Sequence, residues 1–300
     1  MHNPSFQTFA ALQQQLRQRW QDSADFEADD QDILVVPSFS VDQRVGQKVP
    51  GFLHYEERLL FSLIRLRNPH TRLIYVTAQP LAPLIIDYYL QLLSGIPFSH
   101  ARDRLLLVTT YDNSYKPLTQ KILERPRLVE RIRRALRPNQ SYMVCYNSTP
   151  LEQELSEKLQ IPLFAASPSL NYWGSKSGSR EIFQTAGVPF PDGSALVKTV
   201  PELIQVTAQL WERQPHLKRI VIKLNEGFSG DGNAVLKLPA LPQSASFTER
   251  CEQITAALPK LSFQASGETW DNFASRIPEL GAIAEAFIEG DPKRSPSVQG

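Results

Sequence analysis

The sequence has few of the residues that build metal centres or disulfide frameworks. It contains 2 cysteines and 5 histidines among its 300 residues. Cys145 and Cys251 are far apart in the chain and outside any metal-ligand or redox spacing, and the histidines are scattered without a pair at zinc-ligand spacing. These absences exclude a disulfide scaffold, argue against a histidine-ligated metal site and favour a reducing compartment.

Excess charge and long apolar runs are also lacking. Lys and Arg number 32 and Asp and Glu 31, which gives a formal net charge of +1, so the overall balance does not call for nucleic acid or an anionic membrane as a partner. No apolar run approaches the ~18 residues of a membrane span, and the polar N-terminal residues do not resemble a secretion signal. We therefore expect a cytoplasmic protein that acts on small molecules.

Short apolar runs alternate with helix-length amphipathic segments in the first half of the chain. The runs lie at 32–37, 72–77, 104–109 and 141–146, and the amphipathic segments at 5–21, 54–67, 81–94, 119–137 and 150–160. This alternation predicts an α/β unit with a parallel, doubly wound sheet. The predicted domains are an N-terminal helix and connector at 1–30, a Rossmann-like domain at 31–165 and a second domain at 166–300.

Polar residues follow several of these predicted strands. Ser38 and Ser40 come after the first, and Asp112 and Ser114 come after the third. In open α/β sheets, ligands bind at the carboxyl ends of the strands, so these side chains are candidates for ligand contact. Helix capping and turn formation are the alternative, and the residue types favour it.

A predicted hairpin at 219–237 organises the second half of the chain. Ile220, Ile222 and Leu224 alternate with more polar positions, so a period of two places Lys223 on the face opposite the apolar set. A glycine-rich loop follows, with Gly227, Ser229, Gly230 and Gly232. Glycines let backbone N–H groups approach a phosphate closely, but a plain hairpin turn accounts for the same pattern.

A second lysine stands at a predicted helix start. Lys176 lies in Ser175-Lys-Ser-Gly-Ser-Arg180, which opens a helix that stops at Gly187. A cation near a helix N-terminus is disfavoured by about 0.3–1 kcal/mol, and a bound anion would reverse that cost. An exposed lysine just outside the helix is the alternative.

Together with the Ala-Gly-Val-Pro-Phe-Pro-Asp-Gly turn at 186–193 and Glu285-Ala-Phe-Ile-Glu-Gly290, these features resemble the ATP-grasp fold. A further set of motifs resembles the pheganomycin-type peptide ligases and their bacterial relatives, and this resemblance covers almost the whole chain. The set comprises Val36-Pro-Ser-Phe-Ser40, Tyr55-Glu-Glu-Arg58, Tyr88-Tyr-Leu90, Asp112-Asn-Ser114, Leu118-Thr-Gln-Lys-Ile-Leu-Glu-Arg-Pro126 and Arg294-Ser-Pro-Ser-Val-Gln299.

The resemblance implies an ATP-dependent carboxylate–amine ligase that forms an amide through an acylphosphate. It assigns Lys176 and Lys223 to the nucleotide phosphates, and the loop residues Gly227, Ser229, Gly230 and Gly232 to a flap that covers them. It assigns Glu285 and the main chain of Ala286 to Ile288 to the adenine. The implied substrates are ATP, an amino-acid or peptide carboxylate and an amine acceptor.

The resemblance also implies Mg²⁺. Its ligands in the family lie on strands beyond the adenine segment, so we expect them beyond the end of this chain and expect 166–300 to be an incomplete ATP-grasp α+β domain. No catalytic residue or metal ligand follows from the sequence. Two alternatives remain open, a nucleotide- or peptide-binding protein of ATP-grasp fold without turnover, and an unrelated α/β protein whose hairpin is structural.

Overall fold

The computed structural model describes residues 7–22, 30–41, 46–47, 50–227, 230, 232–242 and 244–290. The chain divides into two compact units, Met1–Ser169 and Leu170–Gly300. The domain assignments made from the sequence stay predictions. Within the described ranges, no helix combines the length and the apolar character needed to cross a bilayer.

The first unit is built on a parallel sheet. Its strands are β1 (Gln31–Val36), β2 (Thr71–Thr77), β3 (Leu105–Thr109) and β4 (Ser141–Cys145), in the spatial order β3-β2-β1-β4. All six residues of β1 are buried, which explains why the run Ile33–Val36 is continuously apolar instead of alternating. The predicted α/β class with a doubly wound sheet is confirmed.

Helices cover both faces of this sheet. They are α1 (Phe9–Asp22), a long 3₁₀ helix (Phe52–Arg67), α2 (Pro83–Gln91), α3 (Phe98–Asp103), α4 (Leu118–Leu123), α5 (Pro126–Ala135) and α6 (Pro150–Leu159). Leu34 and Val36 of β1 belong to the core shared with α4, α5 and α6. Ile33 and Val35 belong to the core shared with the long 3₁₀ helix and α2. Alternate residues of one strand thus face opposite layers.

The helix predicted at 54–67 is a 3₁₀ helix, and its C-terminal end is held by one arginine. Three residues per turn align Leu60, Leu63 and Leu66 on the buried side. Arg104 donates hydrogen bonds to the carbonyl oxygens of Leu66 at 2.7 Å, Asn68 at 2.6 Å and Thr71 at 2.7 Å. The guanidinium group therefore ties the helix end to the turn that leads into β2.

The second unit is built on an antiparallel sheet. Its strands are β5 (Arg219–Leu224), β6 (Asn233–Lys237), β7 (Ser262–Phe263) and β8 (Ala282–Ala286), in the order β7-β6-β5-β8. Its helices are α7 (Asn171–Gly174), α8 (Lys176–Thr185), α9 (Val200–Arg213), α10 (Phe247–Ala257) and α11 (Trp270–Leu280), with a short 3₁₀ helix at Leu258–Lys260. Another short 3₁₀ helix, Pro168–Leu170, spans the point in the chain where the first unit ends. Trp211 of α9 and Phe273 of α11 pack with Ile220 and Ile222 of β5 in one core.

The turn at 186–193 leads into two isolated antiparallel bridges, Gly193 with Glu285 and Val197 with Ala282. Between them, Ser194 Oγ accepts a hydrogen bond from the backbone N–H of Ala284 at 2.9 Å. A side chain therefore interrupts the main-chain ladder that a continuous strand would form.

Candidate nucleotide-binding site

Lys223 lies near the end of β5, on the face predicted from the alternation of that strand. Its side chain is 28% exposed, whereas Ile222 and Leu224 on either side of it are fully buried. Lys223 Nζ forms an ion pair with Glu285 Oε2, and Arg180 Nη1 donates to the other carboxylate oxygen of Glu285 at 2.8 Å. One buried carboxylate is thus shared by two cations.

The start of α8 is tied directly to the end of β5. Ser175 caps the helix, because its Oγ accepts the N–H of Gly178 at 3.1 Å. Asn225 Oδ1 accepts the N–H of Ser177 at 2.8 Å, and Asn225 O accepts the N–H of Lys176 at 3.3 Å. The two predicted phosphate-binding lysines are therefore held by adjoining pieces of backbone.

Glycine is required inside this helix start. A Cβ atom at Gly178 would lie 2.1 Å from the carbonyl oxygen of Tyr172, well inside contact distance. The close approach of α7 to α8 thus depends on the third residue of the Lys-Ser-Gly sequence.

Lys176 reaches from α8 to the glycine loop. Its Nζ donates to the carbonyl oxygen of Gly227 at 3.1 Å. Burial lowers the pKa of Lys176, and the positive charge of Lys223 lowers it further, whereas Glu285 opposes both. Lys176, Arg180 and Lys223 thus bring three cationic side chains around the single carboxylate of Glu285, an arrangement suited to a polyanion.

The glycine loop is a tight hairpin in which two glycines face each other. A Cβ at Gly227 would lie 3.0 Å from Gly232 Cα, and one at Gly232 would lie 3.1 Å from Gly227 Cα. The N–H of Leu224 donates to Gly232 O at 2.8 Å. Packing alone therefore explains these two glycines, and a phosphate contact is an additional prediction. The predicted site residue Ser229 lies outside the described residues.

Gly230 differs from these two glycines. A Cβ built on it would lie 2.6 Å from Cδ of the exposed Gln264 side chain, which can move aside. Its carbonyl remains part of the hairpin, since Gly230 O accepts the N–H of Asn233 at 3.0 Å.

The predicted adenine segment is divided. Glu285 joins the lysine cluster, whereas Ala286 and Ile288 line a cavity of about 820 Å³ together with Arg219 and Lys237. Ala286 pairs with Ile220 in the sheet, three residues before Lys223, or roughly 10 Å along the strand. The N–H of Ala286 already donates to Asp192 O at 2.8 Å, and the N–H of Phe287 donates to Arg219 O at 3.3 Å.

The polar residues after β1 serve turns and helix starts. Ser40 Oγ donates to Glu152 Oε1 at 2.6 Å, and Ser38 Oγ accepts the N–H of Thr119 in α4 at 3.1 Å. After β3, Asp112 Oδ1 accepts the N–H of Ser114 at 2.9 Å. These contacts agree with the capping alternative for Ser38, Ser40 and Asp112, whereas the hydroxyl oxygen of Ser114 is buried without a hydrogen-bond partner among the described residues.

Sequence reasoning missed Arg180 and Asn225. Arg180 follows Lys176 by four residues on one helix, a spacing that places two side chains on the same face, so it could have been found. Asn225 follows Lys223 by two residues, but its role as the partner of Ser177 depends on a long-range contact.

The Mg²⁺ prediction, whose ligands are expected beyond the end of this chain, is not tested by the side chains that the structure describes. Among those residues, no group of three or more His, Cys, Asp or Glu side chains is placed to hold a metal ion. We therefore derive no step through a metal.

A pair of lysines beside a glycine hairpin, with both fixed to one helix start, defines a candidate phosphate-binding site in an α+β unit. Residues 168–288 match the family model of the IQCH-like ATP-grasp domain. This segment of the chain therefore resembles ATP-grasp domains, and the predicted ATP-grasp fold class is confirmed for it. The finer resemblance to the pheganomycin-type ligases stays a prediction.

Two curated relatives match most of this chain. L-propargylglycine–L-glutamate ligase of Streptantibioticus cattleyicolor is 28% identical over 265 residues, which cover 85% of this chain and 52% of that protein. IQ motif-containing protein H of Danio rerio is 24% identical over 296 residues, which cover 85% of this chain and 28% of that protein. The chain thus spans about half of the first relative and less of the second.

Among solved structures, D-alanyl-alanine synthetase A of Vibrio cholerae aligns with a TM-score of 0.41 at 12% identity, over 87% of this chain and 60% of that one. This likeness is too distant to carry an argument about the site.

Proposed function

We propose that the chain acts in an ATP-dependent carboxylate–amine ligase that joins an amino-acid or peptide carboxylate to an amine. The observation that carries the proposal is the contact of Lys176 with Gly227 of the glycine hairpin, with Lys223 on the strand that leads into that hairpin, within the segment that matches the ATP-grasp domain model. The relative named as a ligase of L-propargylglycine and L-glutamate supports amino-acid substrates.

The residues of this site suit the binding of a triphosphate. Lys176 and Lys223 would neutralise phosphate oxygens, and the backbone N–H groups of the hairpin would cover them. ATP, when bound, supplies the phosphoryl group that activates the carboxylate as an acylphosphate. Phosphoryl transfer depends mainly on positioning and on charge neutralisation, and the ties between α8 and β5 supply the positioning.

Arg180 gives the cluster a way to release Lys223. A phosphate that draws Lys223 away from Glu285 would leave a buried carboxylate without a partner if Arg180 were absent, and an unpaired buried charge is costly. Because Arg180 Nη1 also pairs with Glu285, at 2.8 Å, the carboxylate keeps a counter-ion. In this scheme Arg180 and Glu285 are positioning residues, whereas Lys176 and Lys223 contact the nucleotide.

The proposal also covers the companion ion of the nucleotide, the cellular location and the substrate class. It includes Mg²⁺ as the companion ion of the nucleotide, a cytoplasmic location and small-molecule substrates. Cys145 and Cys251 are both free thiols, which is compatible with a reducing compartment.

The first test is calorimetric titration of Mg·ATP into the chain, its Lys223→Met variant and a Lys260→Met control. Lys260 is an exposed lysine in the same unit, in the 3₁₀ helix Leu258–Lys260. We expect Lys223→Met to weaken binding by about tenfold or more, because a charge-assisted hydrogen bond contributes roughly 1.5–3 kcal/mol. We expect Lys260→Met to leave binding unchanged. Equal affinity of the two variants, or no binding by the parent chain, would contradict the site.

Turnover is tested separately by phosphate release from ATP in the presence of paired amino acids, with amide product detected by mass spectrometry. Phosphate release that requires both a carboxylate and an amine supports the ligase. Nucleotide binding without release for any pair would favour the binding protein without turnover.

A further inference from the structure

The first unit contains a cavity that the proposed ligase chemistry does not use. Its volume is about 840 Å³, and its lining includes Gln31 and Ile33 of β1, Tyr142 of β4, and Ser62 and Arg67 of the long 3₁₀ helix. Gln31 and Thr71 are the first residues of β1 and β2 and pair with each other. The cavity thus lies toward the amino ends of these strands, away from the carboxyl ends where open α/β sheets usually bind ligands.

Two residues that line this cavity carry a buried polar atom without a hydrogen-bond partner among the described residues. Gln31 is 2% exposed, and neither its Oε1 atom nor the Oγ atom of Ser62 has a hydrogen-bond partner among the described residues. Buried polar groups are nearly always hydrogen-bonded, because leaving them unpaired costs free energy. Both residues line the same cavity. Their unmet hydrogen-bonding capacity points to a polar ligand group.

The rest of the wall suits an apolar body. Phe164 stacks on Trp20 with ring centroids 6.0 Å apart and meets Tyr142 edge-on at 5.9 Å. Phe61 and Ile64, which also line the cavity, are 63% and 46% exposed. Aromatic and branched side chains of this kind contribute the apolar surface typical of small-molecule pockets.

The rim carries positive charge close to Gln31. Arg65 and Arg67 stand in the last turn of the long 3₁₀ helix, and both line the cavity. The turn that follows them reaches β1, because the N–H of Gln31 donates to His70 O at 3.2 Å. Guanidinium groups bind carboxylates through directed pairs of N–H donors. The two arginines therefore offer donors for a carboxylate in the cavity that Gln31 also lines.

We propose that this cavity binds a free α-amino acid with an apolar side chain. The ammonium group donates to Gln31 Oε1, the carboxylate accepts from the arginine rim and the Ser62 hydroxyl, and the side chain packs against Phe61, Tyr142 and Phe164. All of the lining residues belong to the first unit, whereas the residues of the proposed nucleotide site belong to the second.

The test uses the full chain titrated with L-phenylalanine and L-leucine, beside two analogues that each lack one head group. Phenethylamine lacks the carboxylate, and 3-phenylpropionate lacks the ammonium. We expect the amino acids to bind and each analogue to bind about tenfold more weakly or less. An analogue that binds as tightly as L-phenylalanine overturns the assignment, as does the absence of binding by both amino acids.

The matched variants are Gln31→Leu and Gln91→Leu, the second at an exposed position at the end of α2. Gln31→Leu should weaken amino-acid binding about tenfold or more while leaving Tm unchanged or raised, because an apolar group replaces an unpaired polar one. Gln91→Leu should change neither. A lowered Tm with unchanged affinity would make Gln31 structural and overturn the proposal.

Lys223→Met distinguishes this site from the proposed nucleotide site. We expect that variant to keep full amino-acid affinity whether or not the parent chain binds ATP. A loss of amino-acid binding in Lys223→Met would place the amino acid in the second unit and overturn its assignment to this cavity. Failure of the ATP titration leaves this result intact, so the two proposals stand or fall independently.

Discussion

Asn225 Oδ1 accepts the backbone N–H of Ser177 at 2.8 Å, and Asn225 is 3% exposed. This hydrogen bond joins the residue after β5 to the first turn of α8. Lys223 lies two residues before Asn225 in the chain, and Lys176 lies one residue before Ser177. The separation of the two lysines is therefore fixed by this buried amide together with the backbone bond from Lys176 N–H to Asn225 O.

We predict that Asn225→Leu lowers the free energy of unfolding by about 1–3 kcal/mol, because it leaves the N–H of Ser177 buried without a partner. It should also weaken nucleotide binding, because the helix start is no longer fixed. Urea denaturation and calorimetry measure the two effects. Asn225→Asp is the matched control, since it keeps an acceptor and the fold but places negative charge beside the lysines. Unchanged stability of Asn225→Leu would disprove the coupling.

Arg180 and Lys223 should be thermodynamically coupled through Glu285. Arg180→Met or Lys223→Met alone leaves the carboxylate one cation, whereas the double variant leaves it buried and unpaired. We predict that the double variant loses more stability than the sum of the single variants, with a coupling of about 0.5–3 kcal/mol. A double-mutant cycle on unfolding free energies measures it. Strict additivity would mean that one of the two contacts contributes nothing.

The three described glycines of the hairpin should differ in tolerance. Gly232→Ala places a methyl group 3.1 Å from the backbone of Gly227, so we expect the hairpin to open and nucleotide affinity to fall. Gly230→Ala meets the movable Gln264 side chain and should be tolerated. Calorimetry with Mg·ATP compares the two. Equal effects would show that hairpin closure does not control binding.

Glu56 should make stability depend on pH. Burial raises its pKa to about 7, against the pairing of its carboxylate with the N–H of Ala78 and the charge of Lys121. Because the folded pKa exceeds the unfolded value, the stabilising contribution is complete below about pH 4.5 and is lost as the pH rises to about 7.

The comparison that isolates this effect is Glu56→Gln, which keeps an oxygen acceptor for Ala78. We predict that the stability of the parent chain relative to this variant falls by up to about 3 kcal/mol between pH 4.5 and pH 8. Urea denaturation at several pH values measures the difference. Parallel pH profiles would show that Glu56 titrates normally.

The position of Lys223 was predictable because strand alternation is a local property. Ile220, Ile222 and Leu224 define the buried face, and the lysine between them follows from the period of two. The partner of Lys223 was not predictable. Glu285 lies 62 residues away, and its contact depends on the antiparallel pairing of β8 with β5, which single-residue patterns do not specify.

In the first unit too, local features could be predicted from the sequence, whereas features that depend on long-range contacts could not. The apolar run in β1 predicts a buried strand, and the structure buries every residue of β1. The unpaired amide of Gln31 could not be expected, because its surroundings come from a helix, a turn and another strand. The 3₁₀ geometry of Phe52–Arg67 was also missed, since its apolar spacing resembles that of an α-helix.

Arg104 has a consequence for the amino-acid cavity. By holding the carbonyl oxygens of Leu66, Asn68 and Thr71, it immobilises the turn whose residues Asn68, His70 and Thr71 line that cavity. The conformational entropy of this turn is therefore lost during folding and not during binding. A ligand in the cavity would therefore not pay the conformational entropy of ordering this turn when it binds.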